Sequence, residues 1–298
     1  MNLKKTLTTC GWSLWIYYAV QFAVSFLGSL FLGVLIGLLA ATLGPLAAAG
    51  LQVRTMPILL FAATVASGLI GCLFVSQQAR VSLKQLPLKK DFNWLDLPVG
   101  FFLLLAVSLL FGLVLMPFGL NSEELGAPDF AQALFASPLL SVLTIGILGP
   151  ILEEFFFRGF LFEALNRYNC WFAMVATSAM FAILHLNLGQ AIPTFFMGMV
   201  LVFFRMKTRS LLCPIGMHIL NNCTALLGMN ETGQLLTGIL ILLGVIAGVI
   251  WLILHWKVIW QFYAWARQGR PSPKIFFTCL PIALFLVLFV VMSIGGML

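Results

Sequence analysis

The chain has 298 residues, of which 62% are hydrophobic and 8% charged, against roughly 25% charged in an ordinary soluble domain. That composition excludes a water-soluble globule and a disordered chain, and leaves a polytopic membrane protein with short loops. The formal charge of +7 does not indicate a nucleic-acid partner, because the basic residues are scattered between apolar runs, where they orient spans.

Lys4 and Lys5 precede an apolar run far longer than the roughly 7–15 residues of a signal-peptide core, so it reads as an uncleaved first span. The apolar runs lie at 11–42, 57–77, 94–117, 132–156, 170–187, 191–206, 210–228, 235–256 and 275–296. Each is near the roughly 20 residues that cross a bilayer core as a helix. Strands would show shorter runs that alternate apolar with polar. The sequence therefore predicts an all-α, polytopic transmembrane helical bundle of eight to nine spans, eight if one run is re-entrant. No repeat or soluble insert divides it, so residues 1–298 read as a single membrane domain. Cys10, Cys72, Cys170, Cys213, Cys223 and Cys279 lie in or beside these runs without a CxxC pair, as small apolar span residues do.

With the N-terminus cytoplasmic, the inner segments collect Lys4 and Lys5; Arg80, Lys84, Lys89 and Lys90; Arg158 and Arg167; Arg205, Lys207 and Arg209; and Lys257, Arg267, Arg270 and Lys274. Of the 16 basic residues only Arg54 falls outside. The segment with Glu123, Glu124 and Asp129 falls outside and has no basic residue. This satisfies the positive-inside rule and predicts a multi-pass integral protein, in the inner membrane if the source is bacterial.

Charged side chains near the bilayer centre cost about 2.5–3.5 kcal/mol each on insertion scales, so they persist when paired, wet or working. Here they gather in one stretch: Glu153, Glu154 and Arg158, then His185, then His218 with Asn221 and Asn222. Asp96 and His255 lie near span ends, His255 as an interfacial residue in an aromatic belt. Glu154 and Arg158 are i and i+4 and predict a helical ion pair. Glu153, turned about 100° away, is left to face a cavity. Glu163 and Arg167 repeat the spacing and predict a second pair, structural and near the cytoplasmic surface. The Phe-rich stretch 155–162 reads as ordinary span packing.

Three helices thus bring groups of a catalytic kind. Ser178 shares a face with His185, but no buried Asp is present to orient a base, and a serine mechanism is set aside. Two carboxylates and two imidazoles suit hydrolysis: a carboxylate takes a proton from water, an imidazole orients that water, and a second imidazole with a carboxamide donates to an oxyanion. The same set is also able to hold a divalent metal such as zinc, through Glu153, His185 and His218. Sequence alone leaves open whether there is a metal cofactor or none. The competing readings are a non-catalytic immunity or binding protein and a proton-coupled transporter. For the latter, the two halves of the chain lack matching Gly/Pro-broken spans.

Glu153-Glu154-Phe-Phe-Phe-Arg158 fits EExxxR, Phe181 to His185 fits FxxxH, and His218 to Asn222 fits HxxxN. In this order on successive helices, the motifs resemble those of the CPBP family, the CAAX-prenyl-protease and bacteriocin-processing (Abi) intramembrane proteases. The resemblance covers roughly residues 130–230. It implies a helical bundle of about eight spans around an intramembrane polar cavity, and an endopeptidase acting on a peptide or protein substrate, prenylated or membrane-embedded. It further implies that Glu153 activates the water, His185 positions it, His218 and Asn222 stabilise the oxyanion, and Glu154 and Arg158 support the site. Within the family both metalloprotease and glutamate-protease descriptions are in use.

The span limits create one conflict. They put Glu153 near the inner end of its helix and His185 near the outer end of the next. The two meet only if the Glu-bearing helix runs on through about Leu165, or if the helix before His185 stops short and the segment Asn187–Pro193 is buried in protein.

Overall fold

The structure, a computed structural model, describes residues 2–89, 92–120 and 134–295. Among these residues no strand occurs, and nine principal helices follow the nine apolar runs. They are α1 (Leu3–Leu43), α2 (Pro45–Ala79), α3 (Asp96–Leu115), α4 (Pro138–Asn166), α5 (Cys170–Ile183), α6 (Leu188–Thr208), α7 (Leu212–Leu227), α8 (Glu231–Ala266) and α9 (Leu280–Gly295). Six of them, α1 to α4, α6 and α8, are long and apolar enough to cross a membrane. In a bilayer every backbone N–H and C=O must be satisfied within the segment, and a helix does this.

The breaks between helices have local causes. Asn2, Asn169, Asn187 and Asn230 each cap a helix by accepting a backbone N–H three residues on, at 2.7–3.0 Å. Such caps satisfy one of the four orphan donors at a helix start. The chain reverses after α2, before α6 and after α6 through left-handed residues Arg80, Leu186 and Arg209.

Helix α4 lies at the centre, against α2, α5 and α7. It is 29 residues long and contains two wide, π-helical stretches, Val142–Leu148 and Glu154–Leu161. Pro150 lacks the N–H that an α-helix would direct at Gly146, so the ladder widens ahead of it. Gly149 donates instead to Thr144 O, five residues back, and a Cβ on Gly149 would stand 2.9 Å from that oxygen. The expected span 132–156 is therefore corrected. The helix runs on to Asn166, because Phe156, Phe157, Phe160, Leu161, Phe162 and Leu165 are all buried and keep the segment inside the bundle. Residues 132 and 133 lie outside the described residues.

Around α4 the aromatic core links Tyr17 of α1 to Phe156 (5.1 Å between centroids), Phe156 to Phe157 (4.9 Å) and Phe157 to Phe181 of α5 (5.0 Å). A second core joins α3, α6 and α7 through Leu103, Leu104, Leu201, Phe204, Cys213 and Met217. Helix α8 leans on α3, and α9 leans on α1, where Trp15 Nε1 donates to Pro281 O at 2.9 Å.

One end of the bundle gathers the basic residues. There Thr6 meets Tyr168, Arg167 donates to the carbonyls of Ala79 and Arg80, Asn169 donates to Gln268 O, and Lys207 pairs with Asp96. Two expectations from the sequence are corrected. Arg158 is not in a loop at this end but fully buried inside α4. Glu163 does not pair with Arg167: it pairs with the buried Arg205 of α6, and Arg167 spends its guanidinium on the end of α2. Lys90 and the acidic residues Glu123, Glu124 and Asp129 lie outside the described residues.

Candidate functional site

The sequence-level conflict is resolved because the Glu-bearing helix runs on past Leu165 and the helix before His185 stops short, although Asn187–Pro193 is only half-buried apart from Gly189 and Ala191. Glu153 sits near the middle of α4, 15 residues from Pro138 and 13 from Asn166. Helix α5 stops after 14 residues, at Ile183. His185 follows on a turn that Leu186 closes at φ 53°. A continuous helix from Cys170 to Thr208 would not make such a turn; the Asn187 cap and the positive φ end α5 early and begin α6 at once. Glu153, His185, His218 and Asn222 then line one cavity of about 830 Å³.

The side chains around it are tied from behind. Glu154 and Arg158, both 0% exposed, form the expected i, i+4 pair, with Arg158 Nη1 donating to Glu154 Oε1 at 2.9 Å. The guanidinium also lies over the Phe181 ring, 4.2 Å from its centroid, a favourable cation–π geometry. The same Oε1 sits 2.9 Å from His218 Nδ1. That oxygen already accepts from Arg158 and has no proton to give, so His218 Nδ1 carries the hydrogen and donates. Sequence spacing did not reveal this link across 64 residues.

The free nitrogens point at the cavity. His218 Nε2 is 3.7 Å from Glu153 Oε2, too far for a direct hydrogen bond and close enough for one water to touch both. His185 Nδ1 is 2.9 Å from Phe181 O. A carbonyl only accepts, so Nδ1 bears the proton and Nε2 keeps its lone pair. Asn222 Nδ2 donates to Ile145 O at 3.0 Å, and its Oδ1 faces Asn221 Nδ2 at 3.3 Å. One amide hydrogen of Asn222 is thereby used, and the other is left for a ligand.

The metal reading needs Glu153, His185 and His218 gathered as one donor set. Among the described residues, no group of three His, Cys, Asp or Glu is close enough to hold an ion. The donors share the cavity but do not converge, and no step is routed through a metal here.

Several lining residues escaped the sequence reading: Gln21 of α1, Thr64 of α2, Ser108 of α3 and Gln190 of α6. Gln21 carries a carboxamide inside an apolar run and Gln190 carries one between two runs, which was the available signal. Ser178, set aside as a nucleophile, lies behind Arg158 instead. A Cβ on Gly198 of α6 would stand 3.0 Å from Ser178 Oγ and 3.2 Å from Arg158 Nη2. Among the described residues, Ser178 Oγ, Glu154 Oε2 and two Arg158 nitrogens are buried without a hydrogen-bond partner.

One carboxylate, two imidazoles and a carboxamide thus line one cavity among apolar helices, with a second carboxylate behind them. Residues 135–224, which carry all seven of the motif residues, match the Rce1-like family, described as "Type II CAAX prenyl endopeptidase Rce1-like". Among curated proteins, "Putative membrane peptidase YdiL" of Bacillus subtilis (strain 168) is 32% identical over 106 residues, 35% of this chain and 43% of that protein. "Uncharacterized protein YyaK" of the same organism is 29% identical over 160 residues, 49% of this chain and 52% of that protein. "Uncharacterized 24.3 kDa protein" of Escherichia coli is 31% identical over 106 residues, 34% of this chain and 49% of that protein. The matches span about half the length of these relatives. No solved structure matches the chain. The chain is a multi-pass integral membrane protein whose residues 135–224 are similar to this family.

Proposed function

We propose that the chain is an intramembrane endopeptidase in which Glu153 activates a water. The observation that carries this reading is the meeting of Glu153, His185, His218 and Asn222 in one cavity. Glu153 accepts a proton from water as the water oxygen bonds to a peptide carbonyl carbon. His185 holds that water through the lone pair on Nε2. His218, as an imidazolium anchored by Glu154, donates from Nε2 to the developing oxyanion, and the second amide hydrogen of Asn222 does the same. With His218 in that form, Glu153, Glu154, Arg158 and His218 carry no net charge together, which lowers the cost of burying them. The C–N bond then breaks, and Glu153 returns its proton to the leaving amine. The whole bundle, residues 1–298, acts as one membrane domain around this site.

The substrate is a peptide segment that reaches the cavity within the bilayer. The test is cleavage by purified protein in liposomes, with a panel of prenylated and unmodified peptides, in the presence and absence of chelator. Cleavage by the native chain and none by Glu153→Gln is the expected result. Equal cleavage by both removes Glu153 from the reaction. Loss of cleavage in the chelator lane replaces the glutamate scheme with a metal-dependent one.

A further inference from the structure

We propose that the end of α8 holds the phosphate of an anionic phospholipid, in a pocket of about 340 Å³ lined by Trp260, Tyr263, Ala264, Arg267, Gln268 and Arg270. This pocket shares no lining residue with the cavity of Glu153. The length of α8 places it at headgroup depth. The helix has 36 residues, about 54 Å at 1.5 Å per residue, against a hydrocarbon core of roughly 30 Å. Its apolar run, 235–256, covers about 33 Å and fills that core. From Lys257 onward the helix leaves the hydrocarbon, and Trp260 stands about one turn past it. Tryptophan and tyrosine favour this interfacial level.

Local structure brings two guanidiniums to this place and fixes them. Arg267 follows Tyr263 by four residues and leans back along the helix over its ring. Its Cζ lies 4.7 Å from the ring centroid, and Nη1 donates to the Tyr263 hydroxyl at 2.6 Å. Trp171 of α5 meets the same tyrosine edge-on, 4.8 Å between centroids. Gly269 turns the chain at φ 63°, and Arg270 N then donates to Arg267 O at 3.2 Å, which returns the second arginine to the pocket. Between them the Gln268 carbonyl is anchored by Asn169 Nδ2 at 2.7 Å. Among the described residues no carboxylate pairs with either arginine. Two cations side by side without a counter-charge repel, and a bound anion relieves that repulsion. A phosphate fits the donors. Arg267 keeps Nε and Nη2 for its oxygens, and Arg270 offers a second fork. The Tyr263 hydroxyl accepts from Arg267 and has its own hydrogen to give. A headgroup of net negative charge, such as phosphatidylglycerol, is favoured over a zwitterionic one, whose cationic end the two arginines repel.

The experiment is native mass spectrometry of the full chain in detergent, titrated with phosphatidylglycerol or with phosphatidylcholine of the same acyl chains. The expected result is one phosphatidylglycerol retained per chain at concentrations where phosphatidylcholine is not. In Arg267→Gln/Arg270→Gln its dissociation constant should rise by roughly 10-fold or more, the scale of the charged hydrogen bonds removed. Lys4→Gln/Lys5→Gln removes the same charge from two exposed residues outside the pocket. It should shift the constant by about 3-fold or less, because salt screens distant charges. Equal weakening by the two double variants overturns the proposal, since it leaves only diffuse attraction to a basic surface. Equal retention of the two lipids overturns it as well. Displacement of the lipid by an equal concentration of inorganic phosphate also overturns it, and assigns the pocket to a free anion. Tyr263→Phe keeps both charges and removes only the hydroxyl. It should weaken phosphatidylglycerol by about 5-fold, the scale of one hydrogen bond, and it decides the matter if the arginine variant does not fold: binding equal to that of the native chain overturns the proposal. None of these substitutions lies in the cavity of Glu153, so the outcome is independent of the cleavage assay.

Discussion

Glu154 and Glu163 lie nine residues apart on one helix, and each stands four residues ahead of an arginine. The structure uses them differently. Glu154 takes its own helix partner, Arg158, and a third group, His218, which lines the cavity in front of them. Glu163 ignores Arg167 and reaches across to Arg205 of α6, whose guanidinium also covers the Phe162 ring at 4.2 Å. The difference follows from depth. In the middle of the bundle Arg158 is fully buried, and the nearest carboxylate holds it. Near the basic end Arg167 finds two carbonyls at the end of α2 and the solvent beside them. Spacing of i and i+4 permits a pair; the surroundings decide whether it forms. The first pair anchors His218 at the cavity, and the second ties α4 to α6.

The sharpest way to test that contrast starts at the cavity. Glu153→Gln keeps the shape and removes the base, so cleavage falls by about 10²–10⁴-fold, while yield and thermal unfolding in detergent stay near those of the native chain. Retention of activity would exclude Glu153 as the base. Arg158→Ala leaves Glu154 buried and unpaired, which costs about 3–5 kcal/mol. Both folded yield and activity per folded molecule should drop, because His218 loses the carboxylate geometry that anchors it. Arg205→Ala breaks the other pair. It should cost about 2 kcal/mol, the scale of a hydrogen bond to a charged group, and leave cleavage per folded molecule unchanged. If Arg205→Ala lowered specific activity as far as Arg158→Ala, the division between the two pairs would be wrong.

A finer test moves Arg158 without removing it. An added methyl in Gly198→Ala would meet Ser178 Oγ at 3.0 Å and Arg158 Nη2 at 3.2 Å. Displacing the guanidinium should lower kcat by up to roughly 10²-fold, the scale of a 1 Å misplacement, with KM little changed. Ser178→Gly in the same chain opens room for the methyl and should restore part of the loss. A variant that weakens packing alone would lose folded protein instead, without the kcat effect and without that rescue.

Much of the bundle was legible because a bilayer allows so little else. Nine apolar runs became nine helices, and the order Glu153, His185, His218 survived as one cavity. Helix ends were harder to read. Hydropathy stops at 156 because Glu153, Glu154 and Arg158 interrupt the run, yet Arg158 is neutralised in place and Phe156 to Leu165 carry the helix on. For the same reason Arg158 was counted with the loop residues that orient the chain. Asn169, Asn187 and Asn230 were readable as caps and would have shortened the α5 run to end before His185. Gln21 and Gln190 were visible as polar residues, but a lone carboxamide in or beside an apolar run does not say which neighbours it faces. The link from Glu154 to His218 joins residues 64 apart and has no local signature at all.

The smallest expected effect belongs to Arg167→Ala. This side chain is exposed, and the carbonyls of Ala79 and Arg80 that it serves at 3.0 and 2.9 Å lie beside solvent. Water replaces a lost donor there at little cost, and exposed charged contacts contribute about 0–1 kcal/mol. Unfolding in detergent should therefore shift by less than for Arg205→Ala, and cleavage should not change. Had Glu163 depended on Arg167 as the spacing implies, the two substitutions would cost alike. The ratio of their unfolding shifts, measured side by side with Glu163→Gln, reads which arginine Glu163 answers to: Glu163→Gln should add little to Arg205→Ala and add in full to Arg167→Ala.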